Sequence, residues 1–292
     1  MSFIAALPMY EWPETQADTD MEWQRFREFF RRAGIDAPET IVRRNAEMPP
    51  VPGGIRGASG KVIAPDPATL PPDELHVPTL WRHPDLLLCQ TCWGPLELGL
   101  DEHVKVVGQP NYSGFEGGEG PLYSSPIIMR VSPNPPWMEA ALKRGAGAST
   151  ASARELAAKR RGVDKPAPDD GLPDIPLALI RGKRFAFNAF DSMSGFLAPS
   201  RDLEAIGESL DIFSERIETG AHRDSIIEVA EGSADVCTVD CRSWHMAELH
   251  EPKAELVQVV GWTGRRKGLP MITSLHTPED VVERLIEILS PP

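Results

Sequence analysis

Cysteine, tyrosine and positive charge are scarce in this chain. Its four cysteines in 292 residues, Cys89, Cys92, Cys237 and Cys241, are too few for the disulfide framework of a small secreted module. The spacings Cys89-x2-Cys92 and Cys237-x3-Cys241 have the form of a thiolate metal set. Both pairs, however, sit in or beside apolar, strand-like runs, where a free thiol behaves as a small hydrophobe. They read as plain thiols, and neither a metal nor a cofactor is expected. Lys and Arg number 30 against 43 Asp and Glu, a formal net charge of -13. That balance argues against nucleic acid as a partner. It leaves room for a small anion, because helix ends and hydroxyls act over a few ångströms while net charge sets the far field. No apolar run reaches the ~18 residues a membrane span needs. The first residues, Met1 to Tyr10, lack the basic n-region of a secretory signal. The chain as written is therefore expected in the cytoplasm, or in the periplasm if a leader has been removed.

What is present is ordinary for a soluble globular protein, 41% hydrophobic and 25% charged, and the length allows two domains. Short apolar runs alternate with helical patterns, as in an α/β fold. Phe3 to Tyr10 reads as a first strand. Trp23, Phe26, Phe29 and Phe30 then mark a helix over 18–33 that stops at Gly34. Thr40 to Arg43 reads as a strand, followed by Pro- and Gly-rich loop. Asp85 to Gln90 is a fully apolar strand of the parallel-sheet kind, and Gln90 and Thr91 place polar groups at its C-terminal edge, where open α/β sheets bind ligands. The glycine-rich loop after Gly108 lacks the GxxxxGK[ST] pattern, so a P-loop is excluded. It leads to a strand over 122–130 that carries Tyr123 and Ser124.

Residues 131–176 interrupt the pattern and read as an insertion. Ala140 to Arg161 is partly helical, with a basic cluster at Lys159–Arg161, and Lys165 to Gly171 is linker-like. After the insertion comes the stretch on which the functional reading rests. The apolar run Phe185 to Phe190 is followed at once by Asp191, Ser192, Met193, Ser194 and Gly195. A strand that ends in hydroxyls and a glycine and then opens a helix is a seat for an anion, since the first helical N–H groups have no intrahelical partner. An ordinary N-cap has the same composition. A helix is predicted over 202–217, with Leu203, Ile206, Leu210 and Phe213 as its buried stripe. His222 lies just before a helix predicted to start at Ser225. Asp240 ends the strand Ala234 to Asp240, either as a counter-charge for a ligand ammonium or hydroxyl, or as the cap of a helix beginning at Cys241. Strands over 256–263 and 271–274 and a helix over 277–289 complete the chain.

Taken in order, Ala5–Tyr10, Leu87–Cys92, Glu119–Ser125, Asp191–Gly195, Gly220–His222, Ala234–Asp240 and Gly261–Thr263 resemble the phosphate/phosphonate ABC-transporter substrate-binding family, within the type II periplasmic binding proteins. The resemblance spans most of the chain outside roughly 40–80 and 131–176. It implies two α/β lobes of mixed sheets flanked by helices, with a ligand cleft between them: 1–124 with 264–292, and 125–263. It implies a solute-binding protein for a small anion of the phosphate or phosphonate class, with a transporter permease as partner. Ser192, Met193, Ser194 and Gly195 would hold the anion, with Tyr123, Ser124, His222, Tyr10, Asp240, Gln90 and Thr91 as further contacts. Met193 stands where the family often has a small hydroxyl residue, so one oxyanion donor is expected to be missing. An enzyme or a ligand sensor on the same two-lobed fold is the alternative. As an enzyme it would draw a nucleophile or base from Cys92, His222 or Asp240.

Overall fold

The short apolar runs become the strands of two separate sheets, one in each of two units. The computed structural model describes residues 3–131 and 164–289. The chain divides into Met1–Asn111 with Lys267–Pro292, and Tyr112–Arg266.

The first unit is built on a four-stranded sheet in the order Ile4–Ala6, Leu86–Gln90, Met271–Ser274, Val104–Gly108. Ile4–Ala6 and Leu86–Gln90 are parallel, and Met271–Ser274 runs antiparallel to both of its neighbours. Leu86–Gln90 is buried at every position, as its unbroken apolar run requires of a strand covered on both faces. One core cluster joins Leu87 and Leu88 to Trp23 and Phe30 of the helix Gln16–Arg32 and to Val281, Val282 and Leu285 of the helix Glu279–Leu289. The other joins Leu86 and Cys89 to Leu80, Trp81, Leu96 and Leu100. The first strand is shorter than its sequence suggested. Pro8 has no N–H to extend a ladder, and Pro8–Tyr10 forms a 3-10 turn. No strand forms over 40–43, where Val42 makes a single backbone bond to the Ala5 carbonyl (2.7 Å).

The second unit is built on a five-stranded sheet in the order Glu215–Glu218, Arg184–Phe187, Val236–Thr238, Pro126–Arg130, Val257–Trp262. The first three are parallel, and Pro126–Arg130 is antiparallel to the two strands beside it. Phe185 stacks on Phe187 and Phe213 with centroids 5.8 and 4.6 Å apart, within a core that includes Leu203, Leu210 and Ile212. The helix expected over 202–217 is not formed. Ala198–Ala205 is helical, Gly207 turns the chain at φ +80°, and a 3-10 turn Leu210–Ile212 precedes the strand Glu215–Glu218. Leu203, Leu210 and Phe213 reach one core from a helix and a turn, and the spacing imitated one helical face. Ile206, assigned to that face, is 49% exposed.

Of the interruption expected over 131–176, Ala140–Arg161 and its basic cluster lie outside the described residues. The part from Asp164 onward is not a free linker. Asp164 accepts from the Val259 N–H (2.9 Å), the Lys165 carbonyl accepts from Trp262 Nε1 (2.7 Å), and Asp174 exchanges backbone bonds with Trp262. The segment lies along Val257–Trp262 through its non-proline residues. None of the four cysteines forms a disulfide, and all four are buried. Burial pushes the thiols of Cys89, Cys237 and Cys241 upward, out of the reactive range. Among the described residues no group of three or more potential ligands could hold a metal, and no helix is long and apolar enough to cross a membrane.

Candidate functional site

Parallel strands deliver their C-terminal ends to one edge of a sheet, and that edge is where the second unit concentrates its polar side chains. Arg184–Phe187 leads into Asn188–Gly195, Glu215–Glu218 into Thr219–His222, and Val236–Thr238 into Val239 and Asp240. The antiparallel strand Pro126–Arg130 begins at the same edge, so Tyr123, Ser124 and Ser125 precede it there. Three helical segments start from this edge, at Met193, His222 and Cys241. Their N-terminal ends direct the positive poles of the helix dipoles to this edge.

The turn Asp191–Gly195 has the form its sequence suggested, with one difference in detail. Ser192 is extended (φ -72°, ψ 123°) and its Oγ accepts from the Gly195 N–H at 3.1 Å. The helix therefore opens on a true N-cap, and the Ser192 hydroxyl hydrogen has no acceptor among the described residues. The first turn, Met193–Leu197, is a π turn in which the Leu197 N–H reaches the Ser192 carbonyl (3.0 Å). Pro199 explains part of this geometry, having no N–H to offer the Gly195 carbonyl four residues back. Thr238 Oγ1 donates to that carbonyl instead (2.9 Å), which ties the helix start to the strand Val236–Thr238. Ser192 and Ser194 are nearly buried, at 6% and 3% exposure. Gly195 is required by contact. A Cβ there would lie 2.0 Å from Asn188 Oδ1, a buried oxygen with no hydrogen-bond partner. Met193 is buried, with its Sδ 3.7 Å from Arg201 Nη1.

His222 is the first residue of the helix His222–Glu231, three residues earlier than its sequence suggested. That places its ring against the neighbouring helix start. Nε2 lies 3.0 Å from Ser194 Oγ and 3.5 Å from Asp240 Oδ2, while Nδ1 is buried without a partner. Burial holds the imidazole below its usual range, against the opposing pull of Asp240. Asp240 itself caps the helix Cys241–His250. Oδ1 accepts from the Ser243 N–H (2.8 Å) and Oδ2 from the Ser243 hydroxyl (2.5 Å). Of the two roles open for it in the sequence, capping is the one formed. Its remaining contact turns it toward the histidine.

Five more candidate residues complete the account. Tyr123 is buried, its ring 5.1 Å from that of Tyr112, and Ser124 is fully buried with an unpartnered Oγ. With Ser192, Met193, Ser194, Gly195, His222 and Asp240 they share the second unit. Tyr10, Gln90 and Thr91 belong to the first, at the C-terminal edge of its two parallel strands. There Gln90 Oε1 accepts from the Met9 N–H (3.2 Å), Tyr10 is buried, and Thr91 Oγ1 is buried without a partner. Sequence reasoning missed Asn188 and Ser243. Asn188 follows an apolar run and looks like an ordinary turn residue. Ser243, three residues after Asp240, had a readable signal in the capping spacing.

Against known proteins, residues 157–290 match the family model described as ABC transporter, phosphonate, periplasmic substrate-binding protein. No curated protein matches the chain. Among solved structures, PhnD1 from Prochlorococcus marinus in complex with methylphosphonate is 13% identical, with a TM-score of 0.54 over 98% of this chain and 82% of that one. A binding-protein component of a phosphonate ABC transporter from Pseudomonas aeruginosa is 14% identical, with a TM-score of 0.51 over 98% of this chain and 72% of that one. XAC2383 from Xanthomonas citri bound to ATP is 11% identical, with a TM-score of 0.51 over 99% and 82%. At such identities the likeness is one of fold. The fold is the two-lobed α/β architecture of the periplasmic binding proteins, with mixed sheets flanked by helices.

Proposed function

We propose that this chain, whose residues 157–290 match the model of the phosphonate ABC-transporter substrate-binding family, is a solute-binding protein. It captures a small oxyanion, phosphate or a phosphonate, and delivers it to a transporter permease. The single observation that carries the reading is the convergence of Ser192, Ser194 and His222, with three helix starts behind them, on one edge of a sheet. Hydroxyl hydrogens and leading N–H groups are the donor types an oxyanion needs, and burial at such a place would exclude competing water. Tyr123 and Ser124 are proposed as further contacts. Tyr10, Gln90 and Thr91 remain candidate contacts of the first unit in their own right.

Ser194, His222 and Asp240 together invite a hydrolase reading, and their arrangement argues against it. A catalytic triad has the carboxylate on one ring nitrogen and the nucleophile on the other. Here both partners crowd Nε2, and Nδ1 has none. The carboxylate therefore does not orient the ring through Nδ1 as a triad requires.

A thermal-shift panel of phosphate, phosphite, methylphosphonate, sulfate and acetate tests the reading. A ligand present at a hundred times its Kd should add about 2.7 kcal/mol to the stability of the folded state, a rise of several degrees in Tm for a chain of this size. At least one phosphorus oxyanion should give that rise and acetate should not. A flat response to every phosphorus oxyanion would remove the proposal.

A further inference from the structure

In the first unit, away from the candidate site, His83 is fully buried with both ring nitrogens committed. Nε2 lies 2.9 Å from the Pro49 carbonyl oxygen, and the Asp85 N–H donates to Nδ1 at 3.1 Å. A carbonyl oxygen only accepts and a backbone N–H only donates. The hydrogen is therefore on Nε2 and the lone pair on Nδ1, so two backbone partners fix one neutral tautomer. Through that ring the loop 48–54 is held to the turn between the helix Val77–Trp81 and the strand Leu86–Gln90. Pro49, Pro50 and Pro52 have no N–H with which to anchor the loop. Its further ties are the Val51 N–H on Asp66 (3.0 Å) and Met48, which packs among Leu80, Trp81 and Leu86.

We propose that His83 is an acid-operated latch: a proton taken at Nδ1 drives the ring out of its buried place and frees the loop 48–54, while the second unit stays folded. The proton sets N–H against N–H at Asp85 and leaves a charge in a fully buried position. Both faults are relieved when the ring reaches water, and the bond to Pro49 is broken by the same movement. Asp85 is the charged group acting on the ring, and it favours the proton; burial outweighs it and holds the imidazole below its usual range. Arg82, next in the chain, turns back to the Pro78 carbonyl (3.0 Å). The loop 48–54 has no titratable residue, and before it Glu47 is turned to Arg43 and Arg44. From the strand Met271–Ser274, the Thr273 hydroxyl meets the Leu86 carbonyl, and His276 beyond it is exposed. With the folded ring titrating below the ordinary value of about 6.5, the latch is intact above that pH. Its contribution is lost as pH falls from about 6.5 toward the folded value, over which opening takes up one proton.

Amide hydrogen exchange on the full chain, corrected for intrinsic rates and run from about pH 7.5 to about pH 5, tests this on the wild type and on His83→Gln. In the wild type the opening of the Val51 and Asp85 amides should rise by up to about tenfold per pH unit below about pH 6.5, the slope for one linked proton. The amides of the strand Val236–Thr238 in the second unit should show no such rise. Glutamine can donate to Pro49 and accept from Asp85 without titrating, so the variant should lose the pH dependence. Nitrogen NMR of the wild-type ring at pH 7.5 should show the hydrogen on Nε2. Opening that ignores pH, or that rises equally in both units, overturns the latch. A variant that keeps the pH slope, or a ring with its hydrogen on Nδ1, overturns it as well. Should the variant not fold, the wild-type amides and the ring tautomer decide alone. The oxyanion reading is untouched by any of these results.

Discussion

Gly195→Ala abolishes ligand-induced stabilisation and destabilises the folded chain by about 1–3 kcal/mol, the usual penalty of overpacking. The added methyl would lie 2.0 Å from Asn188 Oδ1 and 3.1 Å from Ser192 Oγ. Both neighbours have anchored backbones or bonds. Asn188 is held at the end of the strand Arg184–Phe187, its carbonyl bonded by the Gly220 N–H (2.9 Å), and Ser192 Oγ is the cap of the helix. Relief comes by turning the buried Asn188 amide or by moving the helix start, and the latter carries Ser194 away from His222. Melting with and without the best phosphorus oxyanion reads both effects. The double variant Asn188→Gly, Gly195→Ala should recover much of the stability, since the clash needs both side chains. An alanine variant as stable and as responsive as the wild type would show that the close approach does not constrain the seat.

Asp202→Ala should destabilise the second unit by about 3 kcal/mol, because it strands a charge its partner was built to meet. The Asp202 side chain is 6% exposed and receives three donors. These are the Gly264 N–H at 2.8 Å and two guanidinium nitrogens of Arg266, at 3.2 and 2.5 Å. Arg266 is 23% exposed, which keeps the expected loss at the low end of the range for buried pairs. The surface pair Arg181–Glu208, at 53% and 30% exposure, is the internal control. Its removal should change stability by less than about 1 kcal/mol. Urea unfolding should show a lower midpoint for Asp202→Ala at an unchanged slope. Equal small losses for the two variants would mean that the Asp202–Arg266 contact is solvated in solution.

The centre of the candidate site was legible because its signal is local. A buried strand, two hydroxyls, a glycine and a helix follow one another over eleven residues, Phe185 to Gly195, and strand-to-helix turns of that kind leave donors unpaired. His222 and Asp240 were legible one step further on, since parallel strands bring their C-terminal ends to one edge. What the sequence hid was three-dimensional. Asn188 matters through an atom Gly195 does not have, and Thr238 through a bond Pro199 cannot make; neither relation has a fixed spacing. The failed helix over 202–217 shows the opposite error. Leu203, Leu210 and Phe213 kept a helical rhythm because a helix, a glycine turn and a 3-10 turn all face one core. In Lys165–Gly171 composition misled as well. Proline and aspartate suggested a free linker, yet Asp164 and the carbonyl of Lys165 dock on Val257–Trp262.

The central claim is that an oxyanion sits on the hydroxyls and helix starts around Ser192 and Ser194. Titration of the Ser192→Ala, Ser194→Ala variant with methylphosphonate by calorimetry tests it most directly, with melting used to confirm that the variant is folded. Each lost hydroxyl that bonds a charged group should weaken binding by about 1.5–3 kcal/mol, so the pair should reduce affinity by at least about a hundredfold. A folded variant that binds methylphosphonate as tightly as the wild type would place the ligand elsewhere and contradict the account.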